Sequence, residues 1–152
     1  MNRVEILDLA DDARELVRQC EVSGSQTLFE RNGRPVAVLV SYDEYLALRE
    51  TIEIANDALL FARLAEADQQ AEEGQLEEVD GLPRLRLVQN VKLDESVRAA
   101  FARIDDDPIA GAPLFEPLKG LWSYRDGTLR VIYRIVAEAR FVVILALDKL
   151  RA

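Results

Sequence analysis

The segment from Gln75 to Pro83 most constrains the fold, because it separates two stretches with different patterns. It is acidic and contains Gly81 and Pro83, and Gly74 precedes it, so a helix is expected to stop here. Helical patterns around one hairpin precede it, and mainly strand patterns follow it. We therefore expect a linker or an extended connection between two modules. With 152 residues, 49% of them hydrophobic, the chain can bury one or two modest cores.

The two stretches also carry opposite charge. Residues 1 to 80 hold 7 Lys plus Arg against 19 Asp plus Glu, a net charge of -12, and residues 81 to 152 hold 12 against 9, a net charge of +3. Opposite charge favours association of the two halves. Two separately solvated surfaces are the alternative interpretation.

Composition excludes several classes of site. The chain has no histidine, the usual general base near neutral pH and the commonest metal ligand, and its single cysteine is Cys20. No zinc constellation, phosphate-binding glycine loop or nucleophile elbow is recognisable, so we expect neither a metal nor a cofactor. The apolar run from Phe141 to Leu147 has seven residues, whereas a membrane span needs roughly 18 to 20. A cytoplasmic protein with no membrane partner is expected.

The first residues have the pattern of a strand followed by a helix. Val4 to Leu7 is apolar and β-branched, and Asp8 is a candidate N-cap. Apolar residues then recur at helical spacing from Leu9 to Cys20, and the cluster Ser23-Gly24-Ser25 ends the pattern. A short strand and one amphipathic helix are therefore predicted.

A tight hairpin is predicted around Asn32-Gly33. The flanking strands are Thr27 to Glu30 and Val36 to Val40. Asn-Gly supplies the positive φ angles that a two-residue hairpin turn requires.

Two further helices are predicted after the hairpin. Ser41 or Asp43 can cap the first, and Asn56 or Asp57 can cap the second. The stretch from 58 to 71 is rich in Ala, Leu and Glu, which are strong helix formers. An apolar stripe runs along it through Leu60, Leu64, Ala67 and Ala71. A plain surface helix is the alternative interpretation of this stripe.

The second half is predicted to be a sheet with one helix. Leu85 to Val91 alternates apolar and polar residues like a strand, Asp94 to Ile104 has helical periodicity, and Asp105 to Pro117 is a loop rich in proline. Three strands close the chain, with Asp126-Gly127 as a hairpin turn: Leu121 to Arg125, Leu129 to Val136 and Arg140 to Leu147. The predicted fold class is α+β, with an antiparallel sheet in the second half.

The run FERNGRPVAVLVSYDEYL from Phe29 to Leu46, preceded by DDAREL from Asp11 to Leu16, resembles the Phd/YefM family of antitoxins. The resemblance covers roughly residues 3 to 73. It implies a small α/β domain that forms a homodimer and binds operator DNA, followed by an arm that neutralises a toxin.

Three arginines are the candidate DNA contacts. The resemblance places Arg14 and Arg31 where the family has DNA-contacting arginines, and Arg34 follows Arg31 by three residues. Arginine can donate two hydrogen bonds to phosphates or to guanine edges. The alternative interpretation is that each arginine is an ordinary solvated surface residue. The net charge of -12 on residues 1 to 80 also disfavours binding to DNA.

The run LFEPLKGLWSYRDGTLRVIYRI from Leu114 to Ile135, preceded by Asp107-Pro108, resembles the RelE/ParE superfamily of toxins, with YoeB-like members closest in pattern. The resemblance covers residues 85 to 152. It implies a compact sheet that cuts messenger RNA on the ribosome or, in other branches, inhibits gyrase.

The resemblance also implies catalytic residues, which apply only if the nuclease is active. Glu116 matches the general-base carboxylate, Arg130 matches the arginine that steadies the phosphate, and Arg125 and Lys119 are further phosphate contacts.

The end of the sequence departs from the toxin pattern. Residues 147 to 152 lack the usual His-Tyr pair or Arg with a later Tyr, and only one helix fits between Val91 and Asp105. Lys149 or Arg151 would be poor replacements for the missing acid, because their pKa values lie far above 7. A shortened, degenerate toxin domain is therefore expected, with a residually active nuclease as the alternative.

We expect a division into residues 1-55 for DNA binding and dimerisation, 56-83 for the neutralising arm and linker, and 84-152 for the toxin domain. The arm is predicted to contact the toxin sheet, in its own chain or in a dimer mate, through Leu59, Leu60, Leu64 and Ala67. Three functions remain open: an autorepressor with a neutralised toxin domain, an mRNA endonuclease inhibited by its own arm, and an interaction protein that captures a separate toxin.

Overall fold

The computed structural model describes residues 1-88 and 91-150. The chain forms two compact units, Met1–Leu46 and Ala47–Ala152. Helices and strands are present in both, so the predicted α+β class is confirmed. Along the chain, the boundary between the two compact units falls within helix α2, Tyr42–Asn56. The functional boundary expected after residue 55 stays a prediction.

The first unit begins with a 3-10 turn at Ile6–Asp8. The predicted strand from Val4 to Leu7 is wrong, because the strands of this unit pair only with each other and Leu7 is 81% exposed. Helix α1, Asp11–Ser23, starts after Ala10 without a side-chain cap, so Asp8 is not its N-cap. The helix ends at Gly24, whose φ of 67° is left-handed.

The predicted hairpin is confirmed. Strand β1, Thr27–Arg31, pairs antiparallel with β2, Arg34–Leu39. Asn32 and Gly33 form the turn with φ angles of 53° and 75°.

The next two helices are capped by residues that the sequence offered for this role. Ser41 Oγ accepts a hydrogen bond of 3.1 Å from the backbone N–H of Glu44 at the start of α2. Asp57 Oδ1 accepts one of 3.0 Å from Leu60 at the start of α3, Ala58–Glu72. These bonds satisfy backbone donors that a first helical turn leaves without partners.

The segment predicted as a linker is instead a hairpin. Strand β3, Glu77–Val79, pairs antiparallel with β4, Leu82–Leu87, across a turn at Gly81, where φ is 79°. Strand β4 thus begins before Leu85, and Gln89 and Asn90 of the expected strand lie outside the described residues.

The second unit is built on one mixed sheet, which the described residues form from six strands in the order β3-β4-β8-β7-β6-β5. The expectation of a purely antiparallel sheet is wrong at one pair, because β4 runs parallel to β8. Helix α4 spans Glu95–Asp106, and its N-cap is Asp94, which accepts from Val97 N–H. The remaining strands are β5, Ala112–Pro113; β6, Leu121–Asp126; β7, Leu129–Val136; and β8, Phe141–Lys149.

Two apolar cores lie in the second unit. Helix α4 packs into one of them through Val97, Ala100, Phe101 and Ile104. The other joins α2 and α3 to the sheet, with residues that include Ile54, Leu60, Leu64, Ala67, Leu121, Ile132 and Val143. Helix α4 and the pair α2 and α3 therefore pack on the sheet through separate apolar cores.

Candidate functional site: an arginine pair held by helix α2

Two arginines predicted to contact phosphate lie side by side on the sheet. Arg125 on β6 and Arg130 on β7 are partners in the antiparallel register, joined by a turn in which Gly127 has a φ of 59°. The side chain of Arg130 is only 3% exposed, whereas that of Arg125 is 42% exposed. The hairpin therefore brings together one buried and one accessible guanidinium.

Helix α2 supplies two carboxylates to this pair. Glu50 and Glu53 are three residues apart, so they share one helix face. Arg125 Nε lies 3.1 Å from Glu50 Oε2, and Arg125 Nη2 lies 2.6 Å from Glu53 Oε2. Arg130 Nη2 lies 2.7 Å from the same oxygen of Glu53. Each arginine thus contacts both glutamates.

The contact between Arg130 and Glu50 is an ion pair without good hydrogen-bond alignment. Arg130 Nε lies 2.5 Å from Glu50 Oε1, but this nitrogen has no aligned hydrogen-bond acceptor among the described residues. Glu50 Oε1 instead accepts a hydrogen bond of 2.8 Å from Ser123 Oγ. Strand β6 therefore contributes a hydroxyl group as well as a guanidinium to the site.

A third carboxylate comes from the toxin-like sheet itself. Asp148 on β8 is the register partner of Arg130, and its Oδ2 lies 3.4 Å from Arg130 Nη1. A buried guanidinium is stable only when such partners offset the loss of its hydration. Carboxylates from α2 and β8 together provide that compensation for Arg130.

An apolar contact holds the arm against the sheet beside these charges. Leu60, Leu64 and Ala67 on α3 are at most 4% exposed and belong to the core shared with β6, β7 and β8. Leu59, which was also predicted to make this contact, is 80% exposed and lies away from the packed face. Helical geometry explains the difference, because Leu60 and Leu64 share a face that Leu59 does not.

Polar contacts extend the same interface. Asp68 Oδ1 lies 2.8 Å from Arg134 Nη2 on β7. Arg63 Nη2 donates a hydrogen bond of 3.1 Å to the carbonyl oxygen of Leu147 on β8. Asp68 of the arm thus meets a basic residue of the sheet, as the charge distribution predicted, and Arg63 adds a contact with the backbone of the sheet.

The predicted general base stands apart from the arginine pair. Glu116 is exposed in the loop before β6, and within residues 1-88 and 91-150 no hydrogen bond or ion pair joins it to either arginine. Lys119 is exposed in the same loop, Lys149 is the last residue of β8, and Arg151 lies outside the described residues. The structure therefore brings together the two arginines that were predicted to contact phosphate, and no contact joins them to the predicted base among the described residues.

A buried tyrosine supports the loop that precedes the site. Tyr133 Oη donates a hydrogen bond of 2.7 Å to the carbonyl oxygen of Pro108 and accepts one of 3.2 Å from Gly111 N–H. Burial raises the pKa of Tyr133 to about 12. Tyr133 and Val131 are fully buried and Leu121 is 7% exposed, so these residues belong to the core.

The candidate DNA contacts all lie in the first unit. Arg31 and Arg34 are register partners next to the hairpin turn, and both are exposed. Arg14 on α1 donates to the carbonyl oxygen of Leu9 at 3.1 Å, and its side chain is 42% exposed. Their role in DNA binding stays a prediction.

The described part of the chain, residues 1-88 and 91-150, contains no candidate metal site and no candidate membrane span. No cluster of three His, Cys, Asp or Glu residues in this part of the chain could hold a metal ion. None of the helices described is long and apolar enough to cross a membrane.

Glu50 and Glu53 are the site residues that the sequence analysis missed. The sequence predicted helix α2 from its capping residues and named none of its acidic residues as part of a site. A signal was available, since Glu50, Glu53 and Ile54 lie within one turn, and the basic half carries arginines of complementary charge.

Two family models match overlapping parts of this chain. A family model of the antitoxin Phd_YefM of type II toxin–antitoxin systems matches residues 1–74, and a model of the ParE toxin of the type II system parDE matches residues 59–151. Among solved structures, the toxin–antitoxin complex RelBE2 from Mycobacterium tuberculosis is 33% identical, covers 43% of this chain and 94% of that chain, and has a TM-score of 0.37. No curated protein matches the chain.

Proposed function

The chain belongs to the ParE toxin family of type II toxin–antitoxin systems, with a Phd/YefM antitoxin domain ahead of the toxin domain, and we propose that it is a self-neutralised repressor. In this proposal the antitoxin domain binds operator DNA in the cytoplasm. The toxin domain is degenerate and stays covered by the arm of its own chain.

The burial of Arg130 carries the proposal. The family resemblance assigns this arginine to phosphate, yet its side chain is 3% exposed and is enclosed by Glu50, Glu53 and Asp148. Asp148 belongs to the toxin domain, so a negative charge would stay beside Arg130 even without the arm. Both features oppose binding of a phosphate at this position.

Covalent linkage strengthens the contact between the arm and the sheet. The arm and the sheet are parts of one chain, so the arm competes at an effective concentration of about millimolar order. Packing of Leu60 and Leu64 adds apolar burial to the ion pairs. A toxin domain covered in this way stays silent without a second protein.

DNA binding by the first unit is proposed from Arg14, Arg31 and Arg34. The purified full chain should retard its own promoter DNA in a gel at low salt, and the double variant Arg14→Ala/Arg31→Ala should not. Arg18→Ala is the matched control, because Arg18 lies on α1 and pairs with Glu15 at the surface. A wild-type chain that retards no DNA at low salt would refute the repressor function.

Homodimerisation is proposed for the same unit. Four apolar side chains of the hairpin are exposed by 41% to 57%: Leu28, Phe29, Val36 and Val38. Exposed apolar clusters of this kind mark surfaces that a partner covers. Sedimentation equilibrium of the full chain should give a dimer, and Val36→Lys/Val38→Lys should give a monomer with an unchanged helical spectrum.

An inhibited mRNA endonuclease is the second candidate function. Arg125 Nη2 and Arg130 Nη2 both contact Glu53 Oε2, so the two guanidinium groups already converge on one anion. Residues 75-152 retain β3 and omit helices α2 and α3. Their expression should arrest growth if the nuclease is active, and Glu116→Gln, an exposed change, should relieve the arrest. A folded fragment that causes no arrest would exclude this activity.

A further inference from the structure

We propose that a small cleft, formed by the start of β4, the loop after α4 and the turn between β7 and β8, binds an organic carboxylate. The carboxylate pairs with Arg84 and Arg140, and its apolar body lies on the walls of the cleft. The cleft shares no residue with the arginine pair or with the arm. The inference therefore goes beyond the proposed function and does not depend on it.

Most of the cleft wall is apolar. The volume of the cleft is about 210 Å³, whereas sites for drug-sized ligands have roughly 300 to 1,000 Å³. Three of its side chains, Ile135, Val136 and Phe141, are half-buried, so part of each stays open to a ligand. The apolar lining is completed by Pro108, Ala137 and Val142. The cleft is thus sized for a short hydrocarbon chain or a single ring.

The charged residues of the cleft are both arginines. Among the described residues, no carboxylate lines the cleft, and neither Arg84 nor Arg140 forms an ion pair. Arg84 Nη1 donates a hydrogen bond of 3.2 Å to the carbonyl oxygen of Asp105, whose carboxylate accepts one of 2.8 Å from the backbone N–H of Arg84. The guanidinium group is therefore held by a backbone oxygen and keeps further donors for a carboxylate, which arginine binds through paired hydrogen bonds.

The backbone at Arg140 also indicates a role for its side chain. Its φ of 56° is a left-handed conformation, which glycine adopts with the least cost. The backbone N–H of Arg140 donates a hydrogen bond of 3.3 Å to the carbonyl oxygen of Ala137, so the turn is closed by backbone groups alone. The turn requires the left-handed backbone and makes no use of a guanidinium group. Outliers of this kind concentrate at ligand-binding sites.

The test follows the binding of octanoate to the full isotope-labelled chain by NMR, with octanol as the uncharged ligand of equal chain length. The amide signals of Ala137, Phe141 and Val142 should shift to saturation with octanoate, with a dissociation constant of about millimolar order for so small a ligand. Octanol should bind about tenfold more weakly, because it brings no charge to the arginines. Shifts confined to the hairpin of β1 and β2, which also exposes apolar side chains, would refute the proposal.

Arg140→Gly separates binding from stability. Glycine removes the guanidinium group and suits the left-handed backbone, so the temperature of unfolding should stay at the wild-type value or rise. Octanoate should nevertheless bind this variant about tenfold more weakly, and Arg84→Gln should weaken binding by a similar factor. Arg98→Gln is the matched control and should bind as wild type does, because Arg98 is exposed on α4 and does not line the cleft.

Filling the cleft gives an independent test. Ala137 is exposed and lines the cleft, so Ala137→Trp occupies the site without removing a core side chain. This variant should lose the shifts that octanoate causes at Phe141 and Val142. If Arg140→Gly binds octanoate as tightly as wild type, or if octanol binds as tightly as octanoate, the arginines do not recognise a carboxylate and the proposal is wrong. Either result leaves the proposed repressor and the covered arginine pair unaffected.

Discussion

The side-chain oxygen of Thr51 accepts a hydrogen bond of 3.0 Å from the backbone N–H of Phe115. Thr51 lies on α2 between Glu50 and Glu53, which pair with the arginines, and its hydroxyl group donates to the carbonyl oxygen of Ala47. Phe115 immediately precedes Glu116. One turn of α2 therefore contacts both parts of the predicted catalytic apparatus, the arginine pair and the loop that carries the proposed base.

Replacing Thr51 by valine should loosen this loop. Valine keeps the shape of threonine and removes the acceptor, which leaves the N–H of Phe115 without its partner and costs about 1 to 3 kcal/mol. Hydrogen exchange of the Phe115 amide should accelerate in the full chain. Thr128→Val, at an exposed turn, is the control, and unchanged protection of Phe115 in Thr51→Val would contradict the role of this bond.

The alkaline stability of the second unit should depend on Tyr133. Burial raises the pKa of Tyr133 to about 12 from an ordinary value of 10.0. The neutral phenol therefore contributes stability throughout the range below pH 10, and this contribution is lost as pH rises from 10 towards 12. Urea unfolding of wild type across this range should show a decline that Tyr133→Phe lacks.

The same variant has a second expected effect at neutral pH. Phenylalanine leaves the carbonyl of Pro108 and the N–H of Gly111 without the hydroxyl group, so Tyr133→Phe should be less stable by about 1 to 3 kcal/mol. Tyr42→Phe is the control, because Tyr42 is 70% exposed. If Tyr133→Phe and wild type lose the same stability as pH rises from 10 towards 12, other groups cause that loss.

Gly111 should not tolerate alanine. A Cβ atom there would lie 2.6 Å from Tyr133 Oη and 2.7 Å from the carbonyl oxygen of Ser123. Because the second contact is with backbone, the strand must move, and we expect a loss of about 1 to 3 kcal/mol. Thermal unfolding of wild type and Gly111→Ala measures this loss of stability. Combining Gly111→Ala with Tyr133→Phe removes one of the two clashes, so the double variant should lose less than the sum of the single losses.

The features of this fold that the sequence predicted depend on residues close together in the chain. Ser41 and Asp57 cap helices through bonds to residues three positions ahead, and Asn32-Gly33 adopts the positive φ angles that its turn requires. These features depend on a few neighbouring residues. Arg125 and Arg130 could be placed together for the same reason, since a short predicted hairpin joins them.

The features that the sequence analysis missed depend on distant residues. Strand β3 contains glutamates typical of a linker, but Glu78 pairs with Arg86 on β4 at 3.4 Å. The parallel pairing of β4 with β8 joins segments far apart in the chain, which periodicity does not reveal. Glu50 and Glu53 were not predicted as site residues, because their partners Ser123 and Arg125 lie more than seventy residues away.

The packing of α3 on the sheet can be tested by two leucines on one helix. Leu64 is 4% exposed within the core, whereas Leu59 is 80% exposed. Leu64→Ala removes buried methyl groups and leaves a cavity, so it should lower the free energy of unfolding by about 2 to 5 kcal/mol. Leu59→Ala makes the same chemical change at the surface and should cost less than about 0.5 kcal/mol. Urea denaturation of the full chain measures both, and equal losses would mean that α3 does not pack on the sheet through the face containing Leu64.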